Sequence, residues 1–207
     1  MFGENPREGF FEDSKFMHPD LAFQITFPIG WRTLNTKQAV MAANEQGDAV
    51  MQLTLAQGQA TPDAAAQAFF AQEGIAGSPR RTTVNSLVAV SGDFTATTDQ
   101  GQVNGSALFV QHGGNVYQLL GYGGNTWNQN VRAVRASMGT FDRLTDRAAL
   151  SVTPNRLEII TLDRDMTLQQ FTSRYPSVVP EERIALINQV TAQTVLRRGT
   201  KMKRVVN

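Results

Sequence analysis

The stretch VNGSALFVQHGGNVYQLLGY, residues 103–122, decides the fold class of this 207-residue chain. Its first half predicts a strand that carries apolar side chains on both faces, with Ala107 and Phe109 on one and Leu108 and Val110 on the other. A Gly-Gly pair follows, and glycine tolerates the positive φ of a tight turn. The remaining apolar run predicts a returning strand, so the stretch forms part of an antiparallel meander.

Segments upstream of this meander extend the predicted sheet and add a helix. The alternation in residues 21–27 (LAFQITF) has the period of a half-buried strand. Residues 39–43 and 49–55 predict two strands of a hairpin around a polar turn. Thr61 is a suitable N-cap with proline and aspartate directly after it, and the alanine-rich run that follows to residue 72 predicts a helix.

The region around the meander completes the first predicted domain. Residues 87–96 predict a strand that leads through a turn at residues 99–101 into the meander, and apolar residues from Trp127 to Met138 recur at helical spacing. Residues 21–142 are therefore predicted to form an α+β domain, an antiparallel sheet packed with helices. Residues 1–20 are expected to be an extended N-terminal arm, pinned to the core by its aromatic rings.

Residues 150–207 are predicted to form a second, smaller unit with the order β-α-α-β. Residues 156–162 (RLEIITL) supply the first strand, Thr167 caps a helix, residues 181–188 supply a second helix, and residues 204–206 close the unit.

Composition excludes several classes of protein. Nineteen Lys and Arg against eighteen Asp and Glu give a net charge of +1, which provides no global field for nucleic acid. No apolar run is long enough to span a membrane. The absence of cysteine excludes disulfides and thiolate metal sites.

Residues able to carry chemistry are few and scattered. The two histidines, His18 and His112, lie far apart in the sequence without the His-Glu-x-x-His spacing of a zinc hydrolase, and we expect them to be ordinary turn histidines. The adjacent Glu181 and Glu182 suit the first turn of a helix. The glycine-rich residues 121–125 could hold an anion with backbone amides but lack the lysine of a nucleotide-binding loop. We therefore predict no catalytic residue, no metal ligand and no cofactor in this chain.

Three short segments at the start of the chain resemble a known family. Residues 2–10 (FGENPREGF), 18–23 (HPDLAF) and 27–31 (FPIGW) resemble the segment that follows the catalytic domain in bacterial zinc metallopeptidases of the HtpX/CAAX-prenyl-protease-like superfamily. The order of elements up to about Phe141 is also similar to the PsbP-like α/β/α sandwich. The resemblance implies a non-catalytic C-terminal region, exported to the periplasm or cell envelope as part of a parent chain whose catalytic metallopeptidase domain is its partner.

The second unit resembles a divergent LysM module. The residues that track the LysM pattern are Ile160, Thr161, Met166, Thr167, Leu168, Phe171, residues 184–188, Leu196, Gly199, Met202 and Val205. LysM modules bind N-acetylglucosamine polymers such as peptidoglycan, which implies glycan contacts from Asp165, Met166 and Thr167 in the first loop and from Asn188 after the second helix. Arg164 stands where the family has glycine.

Three hypotheses for function follow. The first is an accessory region of an envelope metallopeptidase that docks a protein, a substrate or the cell wall and cuts nothing itself. The alternative is a stand-alone peptidoglycan-binding envelope protein. The third is a small enzyme whose site is assembled from residues distant in sequence.

Overall fold

A computed structural model describes residues 2–98 and 101–207 of the chain. These residues divide into two units, one of residues 8–151 and one of residues 2–7 together with residues 152–207. The turn expected at residues 99 and 100 lies outside the described residues. In the described part of the chain, no helix is long and apolar enough to cross a membrane.

The unit of residues 8–151 is built mainly from antiparallel strands. A 3-10 helix, Pro6–Glu8, precedes the first of them. The strands are β1 (Phe10–Glu12), β2 (Lys15–His18), β3 (Phe23–Thr26), β4 (Arg32–Asn35), β5 (Val40–Ala43), β6 (Ala49–Leu55), β7 (Ile75–Gly77), β8 (Arg80–Val84), β9 (Leu87–Thr98), β10 (Gly101–His112), β11 (Asn115–Gly123) and β12 (Asp142–Arg143). The helices are α1 (Pro62–Phe70), α2 (Trp127–Met138) and α3 (Arg147–Leu150).

Among the described residues these strands form two sheets. The large sheet has the order β4-β5-β6-β11-β10-β9-β7, and β8 pairs with β9 beside β7. The small sheet has the order β1-β2-β3-β12. In the middle of the large sheet, Ala107 of β10 is paired with Leu120 of β11 and Gly92 of β9.

The two faces of the large sheet are covered by different elements. Leu108 and Val110 pack in one core cluster with Val134 of α2 and Phe23 of β3. Ala107 and Phe109 pack in another with the buried side chains of α1. The alternation in the meander therefore places α1 on one face, and α2 with the small sheet on the other. The α+β class predicted from the sequence is confirmed.

The N-terminal residues differ from the expected arm. Residues 10–12 and 15–18 form β1 and β2 of the small sheet. Phe16 is fully buried, and its ring lies 5.0 Å from that of Phe11 and 5.9 Å from that of Phe23. Residues 2–7 belong to the other unit, in which Phe2 packs against the core and its backbone N–H donates to the carbonyl of Asn155 at 2.7 Å.

Residues 152–207 supply the elements of the second unit. They are β13 (Arg156–Thr161), α4 (Leu168–Arg174), α5 (Glu181–Asn188) and β14 (Lys201–Val206). The strands β13 and β14 are antiparallel, with Leu157 opposite Val205. Phe171 of α4 and Ile184 of α5 are fully buried in the core of this unit.

Candidate functional site

The loop between β13 and α4, which the LysM resemblance marks as a glycan-binding loop, is fixed by ion pairs. Asp165 accepts hydrogen bonds from the backbone N–H of Arg198 at 2.8 Å and from the Arg197 guanidinium at 2.9 Å. These two bonds hold the pKa of Asp165 below its ordinary value, against the opposing effect of burial. The carboxylate of Asp163 accepts hydrogen bonds from both terminal nitrogens of Arg174, at 2.8 and 3.1 Å. The loop therefore has a defined backbone before any ligand arrives.

The other three residues of the predicted glycan site also form internal contacts. Met166 is buried, and its backbone exchanges two 2.9 Å hydrogen bonds with Leu196. Thr167 accepts from the backbone N–H of Gln170 at 3.2 Å and its own N–H donates to the Gln170 side chain at 2.9 Å, which is a capping box. Asn188 donates to the Lys203 carbonyl at 2.8 Å and accepts from the Lys203 N–H at 2.7 Å.

The structure therefore places the four predicted residues at three separate positions, with Thr167 at the start of α4. Asp165 and Met166 connect the first loop to residues 196–198 by hydrogen bonds, whereas the hydrogen bonds of Asn188 connect α5 to β14. The polar side chains that line a shallow hollow beside the first loop belong mainly to α4 and include Gln169 and Ser173.

The two histidines lie against one aromatic cluster in the unit of residues 8–151. The His18 ring stacks on Phe23 at 5.4 Å, and its Nδ1 accepts from the backbone N–H of Leu21 at 3.2 Å. The Nε2 of His112 lies 2.8 Å from the carbonyl oxygen of Ala22. Burial lowers the pKa of His18, although Asp20 and Glu8 act in the opposite direction. Burial also raises the pKa of Tyr117, within the same cluster, to about 12. Each histidine ring thus has a polar contact with the backbone of residues 21–22.

Within residues 2–98 and 101–207, no group of three or more His, Cys, Asp and Glu side chains is placed to hold a metal ion.

A recess of about 400 Å³ lies between β8, β9, β10 and the last turns of α2. We call it the arginine recess, and define it by its polar wall and its apolar floor. The wall includes the polar residues Arg80, Asp93, Ser106 and Arg135, and the floor includes Val84, Leu108 and Met138. Its volume lies within the range of about 300–1,000 Å³ that is usual for small-molecule sites.

Three residues of the wall form a closed hydrogen-bonded ring. The Ser106 hydroxyl donates to Asp93 at 2.7 Å and accepts from Nε of Arg135 at 3.2 Å. A terminal nitrogen of Arg135 lies 2.7 Å from the second carboxylate oxygen of Asp93. Burial alone would raise the pKa of Asp93, but Ser106, Arg135 and the charge of Arg80 together hold that pKa below its ordinary value. Each group in the ring thus fixes the orientation of the next.

The fold brings these residues together from distant parts of the sequence. Asp93 and Ser106 are direct cross-strand partners in β9 and β10. The helix α2 lies so close to the sheet at Gly121 that a Cβ atom on this glycine would overlap the side chain of Val134. Arg135 follows Val134 in the chain, and this approach places its guanidinium at the ring.

Arg80 is the remaining charge of the recess. It lies on β8 opposite Ser91 and is exposed. Among the described residues, no carboxylate lies within 4.0 Å of its guanidinium. Two arginines against one aspartate leave the lining of the recess with one net positive charge.

Sequence reasoning did not find the arginine recess. The available signal was the presence of Asp93 and Ser106 within two predicted strands, with Ser106 on the same face as Leu108. Their pairing depends on the β9–β10 register, and Arg135 reaches them only through the packing of α2.

Comparisons with known proteins give a likeness of fold. No protein-family model matches the chain. No curated protein matches it in sequence. The cyanobacterial PsbP protein of Synechocystis sp. PCC 6803 is similar at 11% identity and a TM-score of 0.49, covering 64% of this chain and 94% of its own. At this identity the likeness concerns the fold alone.

Two further solved structures show a similar or lower level of likeness. A protein from Bacteroides thetaiotaomicron VPI-5482 has 11% identity and a TM-score of 0.47, with 90% of this chain and 65% of the other covered. LpqN of Mycobacterium tuberculosis, a protein involved in cell envelope biogenesis, has 14% identity and a TM-score of 0.41, with 56% and 79% covered. None of these comparisons links this chain to zinc metallopeptidases, so the metallopeptidase parent stays a prediction from residues 2–31.

Proposed function

We propose that this chain is a non-catalytic recognition region of a zinc metallopeptidase in the bacterial envelope. In that role it docks a substrate or a partner while a separate domain of the parent chain cleaves. The resemblance of residues 2–31 supports the parent and the periplasmic location. The observation that carries a binding role is the arginine recess, a concave site whose polar wall is already fixed by the ring of Asp93, Ser106 and Arg135.

The chemistry of the recess favours binding over catalysis. A nucleophilic serine needs a neighbouring general base whose pKa lies near the working pH. The carboxylate bonded to Ser106 is Asp93, whose lowered pKa makes it a weak base at neutral pH. The described residues that line the recess include no histidine. The ring is therefore suited to holding side chains in place rather than to transferring a proton.

A peptidase assay on the purified chain tests the absence of catalysis. The chain is incubated with zinc and with unstructured peptide substrates, and bound metal is quantified after dialysis. We expect no cleavage and no stoichiometric zinc. Cleavage that requires stoichiometric zinc and survives repurification would overturn the proposal.

A second candidate function is peptidoglycan binding by the unit that contains β13, α4, α5 and β14. The first loop of this unit is held by the Asp165–Arg197 and Asp163–Arg174 ion pairs, and the adjacent hollow is polar. A preformed polar loop beside a shallow hollow suits a flexible glycan, because the protein side loses little conformational entropy on binding.

Retention of the full chain on purified sacculi tests this candidate. Gln169 is exposed beside the loop and lies outside the capping box, so Gln169→Ala is expected to reduce retention without unfolding the unit. Gln67→Ala on the exposed face of α1 is the matched control and should be retained like the native chain. Failure of the native chain to bind sacculi would contradict the candidate.

A further inference from the structure

We propose that the arginine recess binds a singly charged carboxylate borne on an apolar chain, and that Arg80 receives the carboxylate. This inference rests on the proposed recognition function and specifies the ligand of the same site. A fatty acid and a peptide C-terminus that ends in an apolar residue share this chemistry.

The charge of the recess sets the charge of the ligand. Arg80 and Arg135 contribute two positive charges and Asp93 contributes one negative charge. The Asp93–Arg135 pair is neutral as a unit, with a separation of 2.7 Å between nitrogen and oxygen. One positive charge remains, and a monoanion neutralises it, whereas a phosphate monoester would bring excess negative charge next to Asp93.

The two arginines differ in their capacity for a ligand. Arg135 already directs Nε to Ser106 and a terminal nitrogen to Asp93. Among the described residues, Arg80 has no carboxylate within 4.0 Å, so both edges of its planar fork are available. A guanidinium fork matches a carboxylate with two parallel hydrogen bonds, which makes Arg80 the receiving group.

The floor of the recess sets the nature of the rest of the ligand. Val84, Leu108 and Met138 line it, and Leu108 and Met138 belong to the core cluster beneath. An apolar chain that covers these side chains gains the free energy of burial, which a small polar anion does not. The ligand is therefore amphipathic, with its charge at the Arg80 rim.

Calorimetric titration of the full chain with defined probes tests the assignment. Octanoate represents a fatty acid and N-acetyl-leucine represents a peptide C-terminus, while octanamide keeps the apolar chain without the charge. Arg80→Gln removes the receiving charge. Arg81→Gln is the matched control, because Arg81 is the next residue of β8 but pairs with Asp63 at 2.7 Å outside the recess.

We expect saturable binding of at least one carboxylate probe, with weaker binding of octanamide. Arg80→Gln should weaken binding of the carboxylate probe by about tenfold, which is the scale of a lost charge-assisted hydrogen-bond pair. Arg81→Gln should change it by less than about twofold, as for a remote surface charge. The probe that binds more tightly identifies the source of the carboxylate.

Three results would overturn the assignment: neither carboxylate binds, octanamide binds as well as the tighter carboxylate probe, or the two arginine variants weaken binding equally. Such a failure leaves the proposed recognition function standing as long as the peptidase assay is blank. Peptide cleavage by the purified chain overturns the recognition function regardless of whether the probes bind. Failure of the ligand assignment and failure of the proposed function are therefore distinguishable.

Discussion

At the scale of single residues, the close approach of α2 to the sheet depends on Gly121. This glycine lies on β11 opposite Ser106 of β10, and a Cβ atom there would overlap the side chain of Val134. Val134 is itself fully buried and has no room to move without disturbing its neighbours. Gly121 therefore sets how near Arg135, the next residue of α2, comes to the ring.

Gly121→Ala is expected to destabilise the fold by about 1–3 kcal/mol, because a methyl group forced into a packed core strains the surrounding side chains. Denaturant unfolding measures the change. Gly124→Ala is the matched control, since a Cβ at Gly124 meets nothing within 4 Å, and it should lie within about 0.5 kcal/mol of the native chain. Equal effects of the two variants would show that the contact with Val134 is unimportant.

At the scale of elements, local sequence signals predicted some elements closely and missed others. The alternation in residues 49–55 matches β6, and Thr61 caps α1 by accepting from the backbone N–H of Ala64. The strands β4 and β7 were not predicted, because β4 has an exposed, mostly polar sequence and β7 is only three residues long. Such strands form only because a neighbouring strand offers an edge for pairing, which no short-range pattern encodes.

The strand β2 provides a prediction about the N-terminal residues. Phe16→Ala should cost about 3–5 kcal/mol, since it removes a fully buried ring from the core. Ile29→Ala, at a side chain that is 90% exposed, should change stability by less than about 0.5 kcal/mol. Thermal and urea unfolding report both values. A small effect of Phe16→Ala would mean that residues 10–18 lie on the surface as a loose arm.

The loop that precedes α4 provides a prediction about acid stability. Asp165 has a pKa below its ordinary value of 3.8 in the folded chain, so it stabilises the fold above that value, and this contribution is lost as pH falls through the lower folded pKa. Asp165→Asn should therefore be less stable than the native chain at neutral pH, and the difference should shrink as pH falls below about 4. Urea midpoints at a series of pH values measure it. A difference that is constant from pH 7 to strongly acidic solution would contradict the account.

At the scale of the whole molecule, the fold class followed from the sequence but the candidate site did not. The alternation in the meander predicts Ala107 and Phe109 on one face of the sheet and Leu108 and Val110 on the other. The structure places the two pairs in different core clusters. The arginine recess instead combines β8, β9, β10 and α2, whose residues come together only once strand register and helix packing are set. Asp165, Thr167 and Asn188, which the LysM resemblance marks, form hydrogen bonds within their own unit.

The central claim is that the arginine recess binds a carboxylate borne on an apolar chain. Titration of the ¹⁵N-labelled full chain with octanoate and, separately, with N-acetyl-leucine, followed by ¹H–¹⁵N correlation spectra, tests it most directly because it locates the ligand. The account predicts saturable shifts for backbone amides around Arg80, Asp93, Ser106 and Arg135, and little change in the loop that contains Asp165. Shifts confined to that loop, or no saturable shift anywhere, would contradict it.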